Sequence, residues 1–360
     1  MKPYINIRNI QNKTALVLTL IYFTLLLSCN TALNTPQSRN SSNNENISVP
    51  QGFPPVPEPP DNPITLEKIE LGRRLFYEKK LSKNGDMPSC SHCMKQENAF
   101  ADNTNFSKGN NNEPEYRRNM SLINAAYRKN LFWDGRGKAI EQPAYRSLFL
   151  PFILGSDTNV LQKRLEETPD YPEMFRKAFG KDAKPSAYYV SKAIATFVRT
   201  FISGNSAYDK YIHGDSSAMD KSAISGKELF FSDKTKCSRC HSGFLFTDGL
   251  FHNTAITAHY FDFGRYYITG KNNDKGKFLT PTLRNIEVRK PYMHDGSILS
   301  LEEVIEHYNN GGKNWYTKDT LIKPLNLTVQ DKKDLLSFLK SLTDHEFLSN
   351  PKYKNPNSMR

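Results

Sequence analysis

The chain has 360 residues, a formal net charge of +12 and five cysteines. Once leader and linker segments are set aside, that length accommodates about two domains of ordinary size. The positive balance invites a nucleic-acid partner, but the charge is spread without a dense basic run and the chain opens with an export signal; a solvated surface facing acidic partners is the better reading, with no nucleic acid.

Residues 1–28 read as a targeting segment. Lys2, Arg8 and Lys13 precede a short apolar run over 15–27, too short to span a bilayer comfortably. The run ends in Leu26-Leu27-Ser28-Cys29, which looks like a bacterial lipoprotein signal with Cys29 lipidated after cleavage. The alternative is an ordinary secretory signal with an incidental cysteine. Either sends the protein to the periplasm, touching the membrane only through a lipid anchor on Cys29. Residues 29–60 form a tether, rich first in Asn, Ser and Thr, then in proline (Pro50, Pro54, Pro55, Pro57, Pro59, Pro60). Such composition cannot bury a core and favours extended backbone.

Beyond the tether, one unit occurs twice. Gly72-Arg73-Arg74-Leu75-Phe76-Tyr77 recurs as Gly226-Lys227-Glu228-Leu229-Phe230-Phe231. Each copy precedes a C-x-x-C (Cys90 with Cys93, Cys237 with Cys240), then Phe100-Ala101-Asp102 or Phe246-Thr247-Asp248. The chain therefore divides into 61–215 and 216–349, with a tail over 350–360. Apolar spacing predicts helices from Thr65 toward Lys80 and from Ser186 to Ile202. Ser300-Leu301-Glu302-Glu303 is a capping box opening a helix toward Tyr308, with Gly311 and Gly312 beyond its end. Thr328 opens a last helix whose face is Leu335, Phe338, Leu339 and Leu342. The expected fold is mostly α: two tandem cytochrome c-like helical domains.

Cys237-Ser238-Arg239-Cys240-His241 carries the chemistry. Two thiols three apart, followed at once by an imidazole, form the c-type haem attachment pattern. Both sulfurs can bond the porphyrin edge from one turn while the next side chain reaches the iron. A redox disulfide or half a zinc site would explain a bare C-x-x-C, but neither calls for His241. In the upstream copy, Cys90-Ser91-His92-Cys93-Met94, the residue in register with His241 is Met94. His92 lies between the cysteines and points away from the iron. Three outcomes stay open: Met94 ligates, another residue ligates, or this half holds no haem. A thioether is a softer ligand that favours reduced iron.

Further motifs are Arg118-Asn119-Met120-Ser121-Leu122, Phe132-Trp133-Asp134-Gly135-Arg136, Asp262-Phe263-Gly264-Arg265-Tyr266, Thr280-Pro281-Thr282-Leu283-Arg284-Asn285 and Pro291-Tyr292-Met293-His294-Asp295-Gly296. With these the chain, over roughly 63–344, resembles the bacterial diheme cytochrome c peroxidases, especially their MauG-type branch. The resemblance implies two c-type haems, a peroxidatic one in the first half and an electron-feeding one in the second. It makes His241 the proximal ligand of the second haem. By residue type Met293, His294, His252 and His259 compete for its distal side, but the family's position falls on Tyr308, which otherwise is core. It implies that Trp133 relays electrons between the haems, beyond ordinary packing, and that Gln142 lines the distal pocket. It also implies calcium between the domains, held by the Asn119 side chain and the carbonyls of Arg289 and Pro291. The family usually carries Thr at the Arg289 position.

The first half departs twice from the family pattern. Met94 replaces the axial histidine, and Leu150-Pro151-Phe152-Ile153-Leu154-Gly155 places Ile153 where the family has its active-site glutamate. Glu141 or Asp157 could stand in only if the backbone were displaced. The expected activity is reduction of hydrogen peroxide with electrons from a small cytochrome c or cupredoxin, or MauG-type oxidation of a protein substrate, in a chain that as a family member is often a homodimer. The alternative is an electron-transfer or redox-sensing cytochrome c with a degenerate peroxide site.

Overall fold

The structure, a computed structural model, describes residues 47–86, 88–104 and 117–356. The leader, Cys29 and the first half of the expected tether lie outside the described residues. Among the described residues, twelve α-helical segments run in the order α1 Leu66–Phe76, α2 Cys90–Cys93, α3 Glu141–Phe149, α4 Thr158–Glu166, α5 Tyr171–Phe179, α6 Ala187–Arg199, α7 Ala207–Ile212, α8 Lys221–Phe231, α9 Tyr266–Thr269, α10 Leu301–Asn309, α11 Val329–Ser341 and α12 His345–Ser349. Among the described residues the sheet is one antiparallel pair, β1 Phe251–His252 with β2 Phe278–Leu279, in the register Phe251 to Leu279.

Local chemistry sets the helix starts. The Oγ atoms of Thr65, Ser186, Ser300 and Thr328 cap α1, α6, α10 and α11. At α10 and α11 the third residue, Glu303 or Asp331, reaches back to the cap amide to close a capping box. The first helix stops at Phe76, short of the expected Lys80. Glu78 opens a separate 3₁₀ turn there by accepting from the Lys80 amide.

Two hydrophobic cores follow the duplication. The first gathers residues between Leu71 and Phe201, and the second runs from Met219 to Leu342. Each is closed by a first and a last helix crossing at a glycine. A Cβ on Gly72 would overlap the Ala193 carbonyl and the Phe197 side chain; one on Gly226 would overlap the Asp334 carbonyl and Phe338. The same aromatic trio packs above each crossing. Phe76 meets Phe197 at 5.6 Å and Phe100 at 5.9 Å, while Phe230 meets Phe338 at 5.0 Å and Phe246 at 6.1 Å between ring centroids.

Two boundaries differ from the sequence expectation. The proline-rich stretch from residue 47 is not a free tether: Ile47 and Val56 are buried with Ile64 and Ile202, and Phe53 packs edge-on against Phe244 at 4.7 Å. The few apolar side chains among the prolines suffice to seat it. At the other end, Phe347 on α12 belongs to the first core, and the Tyr353 hydroxyl donates to the Thr200 carbonyl at 2.8 Å. The chain's last segment thus returns to the first half.

Candidate functional site

The second C-x-x-C lies on a 3₁₀ turn, Cys237–Arg239, entered through Lys236 in the left-handed region (φ 54°). The His241 amide donates to the Cys237 carbonyl at 2.9 Å, so both thiols and the imidazole leave one continuous turn. His241 Nδ1 lies 3.0 Å from the Phe246 carbonyl. A carbonyl only accepts, so Nδ1 carries the hydrogen and Nε2 presents its lone pair, the tautomer a metal ligand needs. Burial lowers the His241 pKa, and burial raises that of Cys237. The four described cysteines form no disulfide with one another. These features fit a c-type haem: two available thiols, a fixed imidazole tautomer and a buried setting.

The segment that orients His241 is stitched to the segment 280–284. Thr282 Oγ1 donates to the Leu245 carbonyl at 2.5 Å, Thr247 Oγ1 to the Thr280 carbonyl at 2.6 Å, and Arg284 Nε to the Phe244 carbonyl at 2.6 Å. Arg284 is held in turn by both oxygens of buried Asp209, at 2.8 and 2.9 Å.

Tyr308, on α10, has its phenol pKa raised by burial, with the Cys237 and Cys240 thiols adding to the rise; it shares its surroundings with the haem-attachment motif. Two of the competing histidines are otherwise engaged and the third is exposed. His252 is clamped by Asp319 at Nδ1 (2.6 Å) and Asp248 at Nε2 (2.8 Å), and chiefly the Asp248 bond lifts its pKa to about 11. Cys240, Asp248 and His252 bring ligand-type atoms within 4.8 Å of one another, yet both imidazole nitrogens already serve the carboxylates. His259 is exposed. His294 is buried and stacked on Phe278 at 3.6 Å, its pKa pushed down to about 4 by burial; Met293 precedes it in the left-handed region (φ 69°).

The first half repeats this turn. The Met94 amide donates to the Cys90 carbonyl at 3.2 Å, the same bond that His241 makes, so Met94 and His241 occupy the same step. His92 is exposed. Met94, Cys90 and Ile153 pack against the first core. Ile153 sits on a turn closed by its own amide on the Leu150 carbonyl at 2.9 Å. The two acids nearest in sequence are committed: Glu141 binds Arg199 through both oxygens (2.7 and 2.9 Å), and Asp157 caps α4. Gln142 is exposed at the start of α3, its Oε1 accepting from the Lys138 amide at 3.3 Å.

Sequence reading missed a second repeat. Asn124 and Asn285 both adopt φ 54°, Gly135 and Gly296 adopt φ 72° and 70°, and the bridges Leu131–Gly137 and Tyr292–Ile298 match. Because Ile140 already has helical dihedrals, this register carries through α3 onto α10 and sets Ser147 opposite Tyr308. The signal was the shared Asp-Gly of Trp133-Asp134-Gly135 and His294-Asp295-Gly296.

Trp133 joins the halves. Its Nε1 donates to the Arg118 carbonyl at 2.8 Å, and its own carbonyl accepts from the Leu279 amide at 2.8 Å. Arg117 ties Asp134 (2.6 Å) to Asp262 (2.5 and 2.8 Å), gathering three of the separated motifs. Two of the expected calcium ligands, the carbonyls of Arg289 and Pro291, do converge, but around a guanidinium. Arg118 Nη1 donates to the Arg289 carbonyl at 3.0 Å and to the Pro291 carbonyl. As arranged, these oxygens do not fit a divalent ion.

The family profile described as "Di-haem cytochrome c peroxidase" matches residues 66–217. A cytochrome-c peroxidase of Pseudomonas sp. (strain SCT) is 33% identical over 82% of this chain and 85% of its own length. The methylamine utilization protein MauG of Methylorubrum extorquens is 34% identical, over 80% of this chain and 81% of its own. Among solved structures, a MauG-like protein associated with microbial copper homeostasis superposes with a TM-score of 0.82 at 34% identity, covering 86% of this chain and 98% of that one. The diheme peroxidase BthA of Burkholderia thailandensis shares the fold, with a TM-score of 0.70 at 19% identity.

Proposed function

Because the chain belongs to the di-haem cytochrome c peroxidase family, we propose that it is an exported, MauG-type oxidoreductase that reduces hydrogen peroxide with electrons from a small cytochrome c or cupredoxin. The observation that carries this reading is the asymmetry of the duplicated site. In the second half His241 and Tyr308 would hold the haem iron; in the first, Met94 stands at the His241 step and the short Ser147 at the Tyr308 position, where it would leave room for a small substrate. A haem on each cysteine pair would supply the redox-active iron when bound. The protein's own parts are then distinct. The Phe246 carbonyl fixes the His241 tautomer, and Trp133 links the halves, its indole N–H held by the Arg118 carbonyl and its own carbonyl accepting from the Leu279 amide. The first core and Ile153 keep the reacting face apolar.

Ile153 also favours a second reading. Heterolysis of peroxide needs a group that moves a proton from the near to the far oxygen, and an isoleucine cannot. Glu141, locked on Arg199, does not replace it. A carrier or sensor with the same two haems would keep the electron path and lack turnover. Haem content by pyridine haemochrome, followed by peroxide-dependent oxidation of reduced cytochrome c, separates the two. Two haems with turnover support the peroxidase; two haems without it support the carrier; one haem or none excludes the two-haem relay.

A further inference from the structure

Beside Trp133 lies a cavity of about 50 Å³ lined from both halves, by Arg118 and Arg128 from the first and by Thr282, Arg289 and Tyr292 from the second. Three guanidinium groups around so small a space repel one another, and none of the three makes an ion pair among the described residues. Arg118 and Arg289 are 7% exposed. Arg118 spends its hydrogen bonds on the carbonyls of Asp102, Arg289 and Pro291. Arg128 donates through Nη2 to the Ser121 and Ile123 carbonyls, and Arg289 through Nη2 to the Thr282 carbonyl. The Nε atoms of Arg128 and Arg289 are buried without any partner. Burial lowers Arg289 to about 9, and its neighbours Arg128 and Arg118 push it in the same direction.

The Asp102 carboxylate raises Arg118 and offsets one of the three charges; a buried cation left without a counter-ion costs several kcal/mol, so Arg128 and Arg289 call for an anion. We propose that Arg118, Arg128 and Arg289 form a fixed cationic cradle for haem propionate carboxylates, standing where the family resemblance implies calcium. The inference rests on the haem reading above. A c-type haem is held by thioethers along one edge and carries its two carboxylates on the opposite edge, away from the C-x-x-C turn. The cavity is of a size for a carboxylate head and not for a large anion, and both unpartnered Nε donors belong to its lining. The Arg118 guanidinium already takes the Arg289 and Pro291 carbonyls that calcium would need, and Arg289 adds a second positive charge at a position where the family usually carries an uncharged threonine. A protein-borne charge of this kind cannot be chelated away, so the junction around Trp133 is independent of divalent ions.

The test uses the haem-loaded protein with haem content checked first; a colourless wild type sinks the haem reading itself and is a different failure. Wild type is expected to retain less than one equivalent of calcium after dialysis, and its visible spectrum and midpoint potentials should ignore both EGTA and added calcium. Arg289→Gln and Arg128→Gln should each lower a midpoint potential, because a positive charge near the iron favours the reduced state. They should also introduce a pH dependence over roughly pH 5–8 as the orphaned propionate titrates; Arg289→Lys should recover part of the shift. A stoichiometric calcium whose removal by EGTA alters the spectrum overturns the proposal. So do both glutamine variants titrating like wild type at full haem content. Should the variants not fold, resonance Raman of wild type decides: the propionate bending mode should shift on H/D exchange, and an unshifted mode refutes the cradle.

Discussion

Arg284→Gln tests the scaffold behind His241. Arg284 and Asp209 have side chains 2% and 4% exposed. The substitution removes two bonds to Asp209, the Nε bond to the Phe244 carbonyl and the stacking of the guanidinium 4.8 Å over the Phe53 ring. Breaking a buried pair by removing one partner costs about 3–5 kcal/mol, because the remaining charge stays buried. In a chain of this size that corresponds to a Tm loss of roughly 4–7 °C. Thermal unfolding followed by circular dichroism and Soret absorbance measures it. Asp209→Asn should cost a similar amount, and the double variant clearly less than the sum. The pH dependence has a definite sign. Burial pushes the Asp209 carboxyl up, but Arg284 and Ser206 outweigh it and hold the group below its ordinary value of 3.8. Its contribution is therefore fully present above that value and is lost as pH falls through the folded-state pKa. The gap between wild type and Arg284→Gln should close in acid. A cost under about 1 kcal/mol, or strict additivity in the double variant, refutes the reasoning.

Gly226→Ala gains about 1 kcal/mol of helix propensity but drives a Cβ into the Asp334 carbonyl, so α8 and α11 must part; a net loss of about 1–2 kcal/mol is expected by thermal unfolding. Gly72→Ala should behave alike at the α1–α6 crossing, and a neutral result at both sites contradicts the shared architecture. Tyr308→Phe should change the ferric spectrum of one haem of the two and raise its midpoint potential, since a phenolate favours ferric iron; an unchanged spectrum removes Tyr308 from the coordination sphere. Cys237→Ser combined with Cys240→Ser should halve the pyridine haemochrome yield, and a full yield would contradict attachment there.

What could be read from the sequence was what local chemistry dictates. Thr65, Ser186, Ser300 and Thr328 announce helix starts because a side-chain oxygen three residues before an amide caps it wherever the helix later packs. The C-x-x-C-H turn and its degraded twin were equally legible, since spacing alone puts the three side chains on one turn. The seating of Phe53 was not. Proline density masked the few apolar residues, and their partner Phe244 lies 191 positions away. Nor could spacing reveal that Arg118 fills the convergence of the Arg289 and Pro291 carbonyls, because backbone oxygens carry no signature in a sequence. The Ser147–Tyr308 correspondence needed backbone dihedrals, since the two residues share neither size nor function.

That correspondence sharpens what the altered first half can do. On the proposed reading the face opposite Met94 is open to peroxide, so proton delivery, and not access, would limit turnover. General acid–base catalysis contributes about 10²–10⁴-fold, and with Glu141 bound to Arg199, Asp157 spent on a helix cap and Gln142 exposed, no acid at this position is available to supply it. Ile153→Glu restores a carboxyl on a turn that packs against the first core, where burial raises its pKa toward neutrality and suits it to trade a proton. Met94→His changes the axial ligand and leaves the proton problem in place. Peroxide-dependent oxidation of reduced cytochrome c should therefore rise by at least tenfold in Ile153→Glu and by much less in Met94→His, with the gain following deprotonation of the new carboxyl. If Met94→His alone delivers the larger gain, the limiting step lies at the iron's proximal side and the assignment of Ile153 as the cause is wrong.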